Sequence, residues 1–404
     1  MTSRLAWRNL WRNKRRSAIT MAMVFLAVIL SSLMMSLKDG IYDNMISSTM
    51  GTFTGYAQVH AKGYWDDKSL DLSLALSDEQ QQKLLSHPNV TGLLPRIQTG
   101  VLAASDSITR FSMVVGINPE LEEENAQLSE RVSTGSYLTS EDQAILVGAG
   151  LADYLEVTAG DTLVMLGQGY HGANAAGKYV IKGLIHFGSP ELSNRLIILP
   201  IKEAQWLFNM EGLNTGMIIR LRNPDKVEKT CRELAGSLGH ELEIMSWQDM
   251  NPELVRMIET DTIEGYVFMV ILYIVISFGL FGTMLMMLAE RSHEFGVLVA
   301  IGMRRIRLAT MVWMEMCILS VMGAIAGMVG AVPVCAWFYY NPISLGDEMK
   351  DMVEEYGIEA VIQSSINPTI FLQHGVIVFF LSTLIAIYPL IKLSGLSAIK
   401  AMKS

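Results

Sequence analysis

The sequence predicts a membrane protein of four transmembrane helices with a large mixed α/β extracytoplasmic domain between the first and second, and three observations predict it. Four apolar runs, Ala18–Leu37, Gly265–Leu288, Leu308–Phe338 and Ile370–Leu390, are each long enough to cross a hydrocarbon core of roughly 30 Å. Half of the residues are apolar, only 18% are charged and the mean hydropathy is +0.32, outside the balance of a soluble domain. Charge also divides between the segments that the runs separate. Thirteen of the 31 Lys and Arg lie before the first run, between the second and third, and after the fourth, against only Glu290 and Glu294; the other connecting segments hold 18 basic and 37 acidic residues. The positive-inside rule places the first group of segments in the cytoplasm. This composition excludes a cytosolic enzyme and a disordered chain, and a formal net charge of −9 excludes a nucleic-acid binder that works through overall charge.

In order, residues 1–17 form a basic cytoplasmic helix and 18–37 the first span; 38–264 are the extracytoplasmic domain and 265–288 the second span. Residues 289–307 form a cytoplasmic loop, 308–338 the third span, 339–369 a short extracytoplasmic loop, 370–391 the fourth span and 392–404 a cytoplasmic tail. Both termini are therefore cytoplasmic. At the amino end, Trp7, Leu10 and Trp11 recur at i, i+3, i+4 among arginines, the pattern of an amphipathic helix lying in the headgroup layer. The first run is too long for a signal-peptide core and reads as a retained signal anchor. Lys38 to about Met50 continues the helix outward as a stalk. A second stalk starts at Asn251, with Pro252 at the first helical position and Glu253 in the first turn.

Between the stalks the pattern is mixed. Ser77 caps a helix over Asp78–Leu85 and Val90–Ile97 reads as a strand, kept at a sheet edge by Pro95. Asp225–Leu238 followed by Glu243–Met245 repeats helix then strand, so the two units form one split α/β lobe. Ala144–Val147, Thr162–Leu166, Tyr179–Leu184 and Arg195–Leu199 are short strands of an inserted β-rich lobe.

Enzymatic signatures are weak. Gly172 to Lys178 has the spacing of a phosphate loop, but Tyr179 stands where a hydroxyl must reach Mg²⁺ and strand pattern follows, so it reads as a glycine-rich loop. The seven histidines form no metal-spaced pair, the three cysteines form no disulfide framework, and no Gly-x-Ser-x-Gly elbow occurs. No metal, cofactor or catalytic residue is expected in this chain.

More is carried by the loop from Glu290 to Arg305, charged at both ends and apolar between. Phe295, Leu298 and Ile301 recur every three residues, giving a short helix with one apolar face. Two readings stand: a surface that docks on a partner, or a helix resting on the inner leaflet with Arg304, Arg305 and Arg307 on lipid phosphates. Glu315 lies about two turns inside the third run, where an ionised carboxylate needs a partner. Arg304 or Arg307 is the expected partner, in either a functional or a structural contact between helices. Gly323 and Gly327 form a Gly-x-x-x-Gly pair for close helix packing. Of the 27 methionines, Met34 and Met35 stand at the outer end of the first run, candidates for contact with apolar cargo or ordinary core filling.

Four stretches, the basic Leu5–Ser17, Ile145–Asp161 in the outside domain, Glu294-Phe-Gly-Val-Leu-Val-Ala-Ile-Gly302, and Tyr388-Pro389-Leu390 with Leu396–Ala401, occur in this order around one span, a large domain and three spans. In them the whole chain resembles the MacB/FtsX-type permeases of ABC transporters, and within that family the lipoprotein-releasing LolC/LolE-type subunits. The resemblance implies a bacterial inner-membrane permease subunit with no catalytic site of its own, paired with a second permease subunit, identical or different. ATP and Mg²⁺ would be held by separate MacB/LolD-type ATPase subunits. Glu294, Phe295, Gly296, Leu298, Ile301 and Gly302 would form the coupling helix on them. ATP-driven movement inside would then reshape the outside domain without cargo crossing the bilayer. Lol-type members would extract acylated lipoproteins for a periplasmic carrier. The alternatives are export of peptides or amphiphiles and signalling to a periplasmic hydrolase; no nucleic acid is implied.

Overall fold

The computed structural model describes residues 7, 14–106, 108–187, 190–236, 238–344 and 361–394. These divide into two units, one of 7, 14–43, 258–344 and 361–394, the other of 44–257. Most of the basic helix expected over 1–17, residues 345–360 of the short loop and the tail from 395 onward lie outside the described residues.

Helix α1 (Lys14–Ile46) contains the first apolar run and continues past Leu37. A π-helical stretch, Ser47–Thr54, follows and ends at Gly55, whose φ of +79° suits glycine and whose added Cβ would lie 2.3 Å from Cγ2 of Ile218. The 44–257 unit then runs β1 (Ala57–Ala61), α2 (Asp78–Leu85), β2 (Val90–Ala104), β3 (Thr109–Ile117), α3 (Pro119–Ala126), β4 (Val132–Gly135), β5 (Ala144–Gly148) and α4 (Ala149–Leu155). It continues through β6 (Thr162–Gln168), β7 (Asn174–Ile185), β8 (Leu196–Pro200), α5 (Ile201–Leu207), β9 (Gly216–Leu221), α6 (Val227–Ala235) and β10 (Leu242–Ser246).

Strands β10, β1, β9 and the first half of β2 form an antiparallel sheet in that order. With α2 between β1 and β2 and α6 between β9 and β10, this is the ferredoxin-like pair of split βαβ units. Ser77 caps α2 in a reciprocal capping box with Gln80, and Leu84 buries the inner face with Val59, Val90, Ile219, Val227 and Leu234. Over 90–96, β2 pairs with β9 alone among the described strands, so Pro95 sits on an edge, where its missing N–H is harmless. Cys231 on α6 is buried, which pushes its thiol up to about 12.

The inserted lobe continues from the same strand. From Ile97 onward β2 pairs with β3, and the order runs β2-β3-β8-β5-β7-β4, with β6 bridging β2 and β7. Strand β8 is buried on both faces: Ile197 and Leu199 enter one apolar cluster, Leu196 and Ile198 the other. A continuous apolar run rather than an alternating one is the pattern of such a strand. The segment expected as a glycine-rich loop is partly strand, since Gly177 and Lys178 lie in β7 opposite Met165 and Val164. Small residues fit there because Gly177 lies against the Tyr179 ring, where a Cβ would come within 2.5 Å.

The membrane unit adds α7 (Pro252–Glu290), α8 (Ser292–Ala300), α9 (Arg305–Tyr340), α10 (Pro368–Ile385) and α11 (Ile387–Ser394). Among the described residues four segments are long and apolar enough to span: Ser17–Ile46, Pro252–Glu290, Arg305–Tyr340 and Pro368–Leu393. The fourth apolar run breaks at Ala386 because Pro389 cannot donate to the Ile385 carbonyl; in α11 it occupies the first turn, where an N–H is unused anyway. Helices α1 and α9 meet through Gly323 and Gly327. A Cβ on either would lie 2.8 Å from Cβ of Val24 or Val28 and 3.0 Å from the Met21 or Phe25 carbonyl oxygen, so only glycine permits this approach. Gly330 continues the stripe against the Phe25 ring.

Candidate functional site: the α7–α8–α9 junction

The residues singled out between the second and third spans gather around α8. The helix follows α7 after one residue, Arg291, whose backbone is bent to φ −102°, ψ 5° and whose carbonyl accepts from the Phe295 N–H at 3.0 Å. It ends in a Schellman motif: Met303 N–H donates to the Leu298 carbonyl and Gly302 N–H to the Val299 carbonyl, with Gly302 at φ +104°. Gly302 is therefore a C-terminal stop that an L side chain would strain.

The expected single apolar face does not form. Phe295 is fully buried, Gly296 is buried, and Leu298 packs partly against the same cluster of Met284, Met287, Leu308, Val312 and Met316, whereas Ile301 is 79% exposed. Three residues fall short of a full turn, so a three-residue repeat drifts by roughly 60° per step. By Ile301 it has left the buried side. The outward rim of α8 consists instead of His293, Glu294, Val297, Ala300, Ile301 and Gly302, followed by exposed Arg304, Arg305 and Arg307.

Glu315 is buried on α9 and paired, with a different partner from either expected one. Nη1 of Arg291 donates to both of its carboxylate oxygens, at 3.2 and 3.0 Å, with the two side chains only 5% and 4% exposed. Arg307 lies eight residues, about 12 Å of helix, before Glu315 on the same α9, too far along the axis to meet it. Arg291 also donates through Nε to Glu294 at 3.4 Å, and its guanidinium stands 5.0 Å from the Phe295 ring centroid. One buried cation thus joins the half-exposed Glu294 of α8 to the buried Glu315 of α9.

The sequence reading missed Arg291, which looked like one more charge at the end of a basic loop; the usable signal was that Glu315 needs a cation at its own depth. It also missed a second polar tie in the bundle, where the Tyr273 hydroxyl of α7 lies 2.7 Å from Nδ1 of the buried His374 of α10. Met34 is 39% exposed and Met35 half-buried on α1. Trp7 lines a cavity of about 250 Å³ with Lys14, Ala18, Met21, Leu319 and Met322. Among the described residues no group of three His, Cys, Asp or Glu is placed to hold a metal ion.

Fold and site define a multi-span membrane protein with a folded periplasmic-type domain between its first two spans and a short helix seated between the second and third. Comparison with known families narrows that class. The model of the MacB-like periplasmic core domain matches residues 17–236, more than half of the chain, and that of the FtsX-like permease C-terminal region matches 266–398. The chain belongs to the FtsX/MacB/LolC type of ABC-transporter permease, an inner-membrane family that works with ABC ATPase partners.

Among relatives, the lipoprotein-releasing system transmembrane protein LolC of Neisseria meningitidis serogroup B is 20% identical over 283 residues, 68% of this chain and 67% of that protein. Two solved structures are similar to about half of the chain. The extracellular domain of the ABC-type transporter YknZ from Gram-positive bacteria matches at 13% identity and TM-score 0.33, covering 47% of this chain and 98% of that one. The periplasmic region of MacB from Actinobacillus actinomycetemcomitans matches at 12% identity and TM-score 0.35, covering 53% and 97%.

Proposed function

We propose that this permease subunit extracts acylated lipoproteins from the outer leaflet of the inner membrane, driven by ATP hydrolysis in separate ATPase subunits that hold ATP and Mg²⁺. The observation that carries the coupling half of this reading is α8 itself. Buried Phe295 and Gly296 seat the helix, Gly302 stops it, and Glu294, Val297 and Ile301 are left on the exposed rim. A rigid helix with an apolar and acidic rim suits a protein partner better than phosphate headgroups, which would repel Glu294. In this reading both termini and α8 face the cytoplasm, the 44–257 unit lies in the periplasm, and a second permease subunit completes the transporter. Arg304, Arg305 and Arg307 face the inner-leaflet phosphates.

The cargo half is supported by the likeness to LolC, whose own name states lipoprotein release. Met34 and Met35, near the outer end of the first span, are the proposed contacts for acyl chains, and a periplasmic carrier would receive the released cargo. The test is reconstitution of the chain with its native ATPase and permease partners in liposomes loaded with a triacylated lipoprotein. ATP-dependent appearance of the lipoprotein in the soluble fraction is expected, with at least a ten-fold loss in Ile301→Arg, in the range typical of coupled sites. ATP turnover without release, with a soluble hydrolase activated instead, would replace the cargo reading by signalling.

A further inference from the structure

We infer that Arg291 is the positioning residue that carries movement of α8 into the third span, through the line Glu294–Arg291–Glu315. The inference rests on the docking role proposed for α8 and adds the element that transmits what docking starts. Four observations converge on Arg291. It is the single residue between α7 and α8, so a displacement of α8 must act on it or around it. Its guanidinium is planar and always charged, and it uses two different nitrogens on two different helices: Nε on Glu294 of α8, Nη1 on both oxygens of Glu315 of α9. The two outer members differ in access, since the Glu294 side chain is 47% exposed on the outward rim and that of Glu315 is 4% exposed. Phe295, one turn on, is fully buried with its ring beside the guanidinium, so the base of α8 cannot swing while the arginine holds.

The electrostatics follow from this placement. A cationic group of a docked partner that engages Glu294 draws that carboxylate away from Arg291 Nε. The guanidinium is then left to Glu315 alone, in surroundings where charge-assisted hydrogen bonds are strong. Docking thereby tightens the tie between the α7–α8 junction and α9. With the tie broken, α8 still presents its rim and still docks, but its displacement is absorbed at the junction and α9 does not follow.

The experiment uses the full chain in nanodiscs, titrated with its ATPase subunits, and reads two quantities separately. The half-saturating ATPase-subunit concentration reports docking; the maximal permease-stimulated ATPase rate reports coupling. Arg291→Lys, which keeps the buried charge but has one nitrogen instead of a fork, and Glu315→Gln are each expected to leave half-saturation within about two-fold and to lower the maximal rate about ten-fold or more. Glu315→Asp, which keeps the carboxylate and leaves the Arg291–Glu294 bond in place, is expected to retain at least about half of the unmodified maximal rate, a retention that overall structural damage at this site would not allow. A maximal rate within two-fold of the unmodified chain in both Arg291→Lys and Glu315→Gln overturns the inference. So does a loss that appears only in half-saturation, because the pair then merely shapes the docking surface. Should one of the two variants Arg291→Lys and Glu315→Gln fail to insert, the other and Glu315→Asp still decide the outcome. Ile301→Arg separates this inference from the reading beneath it: it is expected to raise half-saturation about ten-fold, and an unchanged value sinks the docking role itself.

Discussion

The periplasmic-type unit and the membrane bundle each bury an arginine–glutamate pair, and the two pairs are built differently. In the 44–257 unit, Nη2 of Arg96 on β2 meets Oε1 of Glu122 on α3 at 2.9 Å, with both side chains 1% exposed. The same nitrogen donates to the Phe53 carbonyl at 3.1 Å and the guanidinium lies 4.8 Å from the Phe53 ring, while Nε and Nη1 of Arg96 and both oxygens of Glu122 have no hydrogen-bond partner among the described residues, so the 2.9 Å approach is an ion pair without hydrogen-bond geometry. Burial pushes the Glu122 carboxyl up, against the pull of Arg96. In the bundle, Arg291 satisfies both oxygens of Glu315 and reaches a second carboxylate, that of Glu294, at the surface. The first pair is poorly satisfied and enclosed; the second is well satisfied and leads outward. Removal of water alone therefore does not tell a charge pair that locks a core from one that links a surface to it. The number of bonds each partner makes, and whether the chain of bonds ends in solvent, does.

Each side of this contrast can be broken. The largest effect is expected from Arg96→Met, which strands the Glu122 carboxylate in the core and should destabilise the unit by about 3–5 kcal/mol in chemical unfolding of the chain in detergent. Adding Glu122→Leu should recover most of that loss; no recovery would mean that the pair stabilises the fold outright. Next in size is a pH effect from His60, buried in the same unit with Nδ1 3.0 Å from the Thr215 carbonyl and Nε2 without a hydrogen-bond partner among the described residues. Burial holds its pKa down at about 4, below the ordinary 6.5. As the pH falls from 6.5 towards 4, the unfolded chain takes up a proton that the folded one refuses, so stability declines through that window and levels off below it. The total is on the order of 3 kcal/mol. His60→Phe should flatten that part of the pH–stability curve, and an unchanged slope would assign it to other groups.

On the bundle side, Gly323→Leu forces α1 and α9 apart at a contact with no room for a Cβ and should cost about 1–3 kcal/mol, read as a lower thermal midpoint of the detergent-solubilised chain. Smallest is Gly302→Ala, at about 1 kcal/mol, because space around Gly302 is open and only its φ of +104° resists a side chain. Gly302→Asn should be milder still, since Asn tolerates that conformation better. Equal losses for Ala and Asn would mean that something other than backbone conformation holds the position.

The spans were legible because apolar length is a signal that depends on no distant part of the chain. Helix α2 was legible for the same local reason, with Ser77, Gln80 and Leu84 all inside one short segment. Strands β1, β3, β4 and β9 escaped the sequence reading. Gln58 and His60 on β1 and Ser112 on β3 are polar yet buried, so polarity gives no alternation there; what places these strands is pairing with partners far along the chain, as β1 pairs with β10. The site was half legible. Gly323 and Gly327 could be read because close helix packing selects glycine at a fixed spacing, while Gly302 entered only through the resemblance of its loop. The partner of Glu315 could not, because the choice between Arg291 and Arg307 depends on how three helices stack, and sequence distance favours the wrong one.

Strand β2 joins the two lobes of the periplasmic-type unit without a linker, its residues 90–96 belonging to one sheet and 97–104 to the other. The two lobes therefore share one reading frame. A single-residue insertion or deletion near Ile97 would not be absorbed as it would be in a loop; it would turn every following side chain of β2 to the opposite face and put the second sheet out of step with the first. Variation in length is thus tolerated at turns such as Gly212 and closed to the one strand along which the domain is continuous.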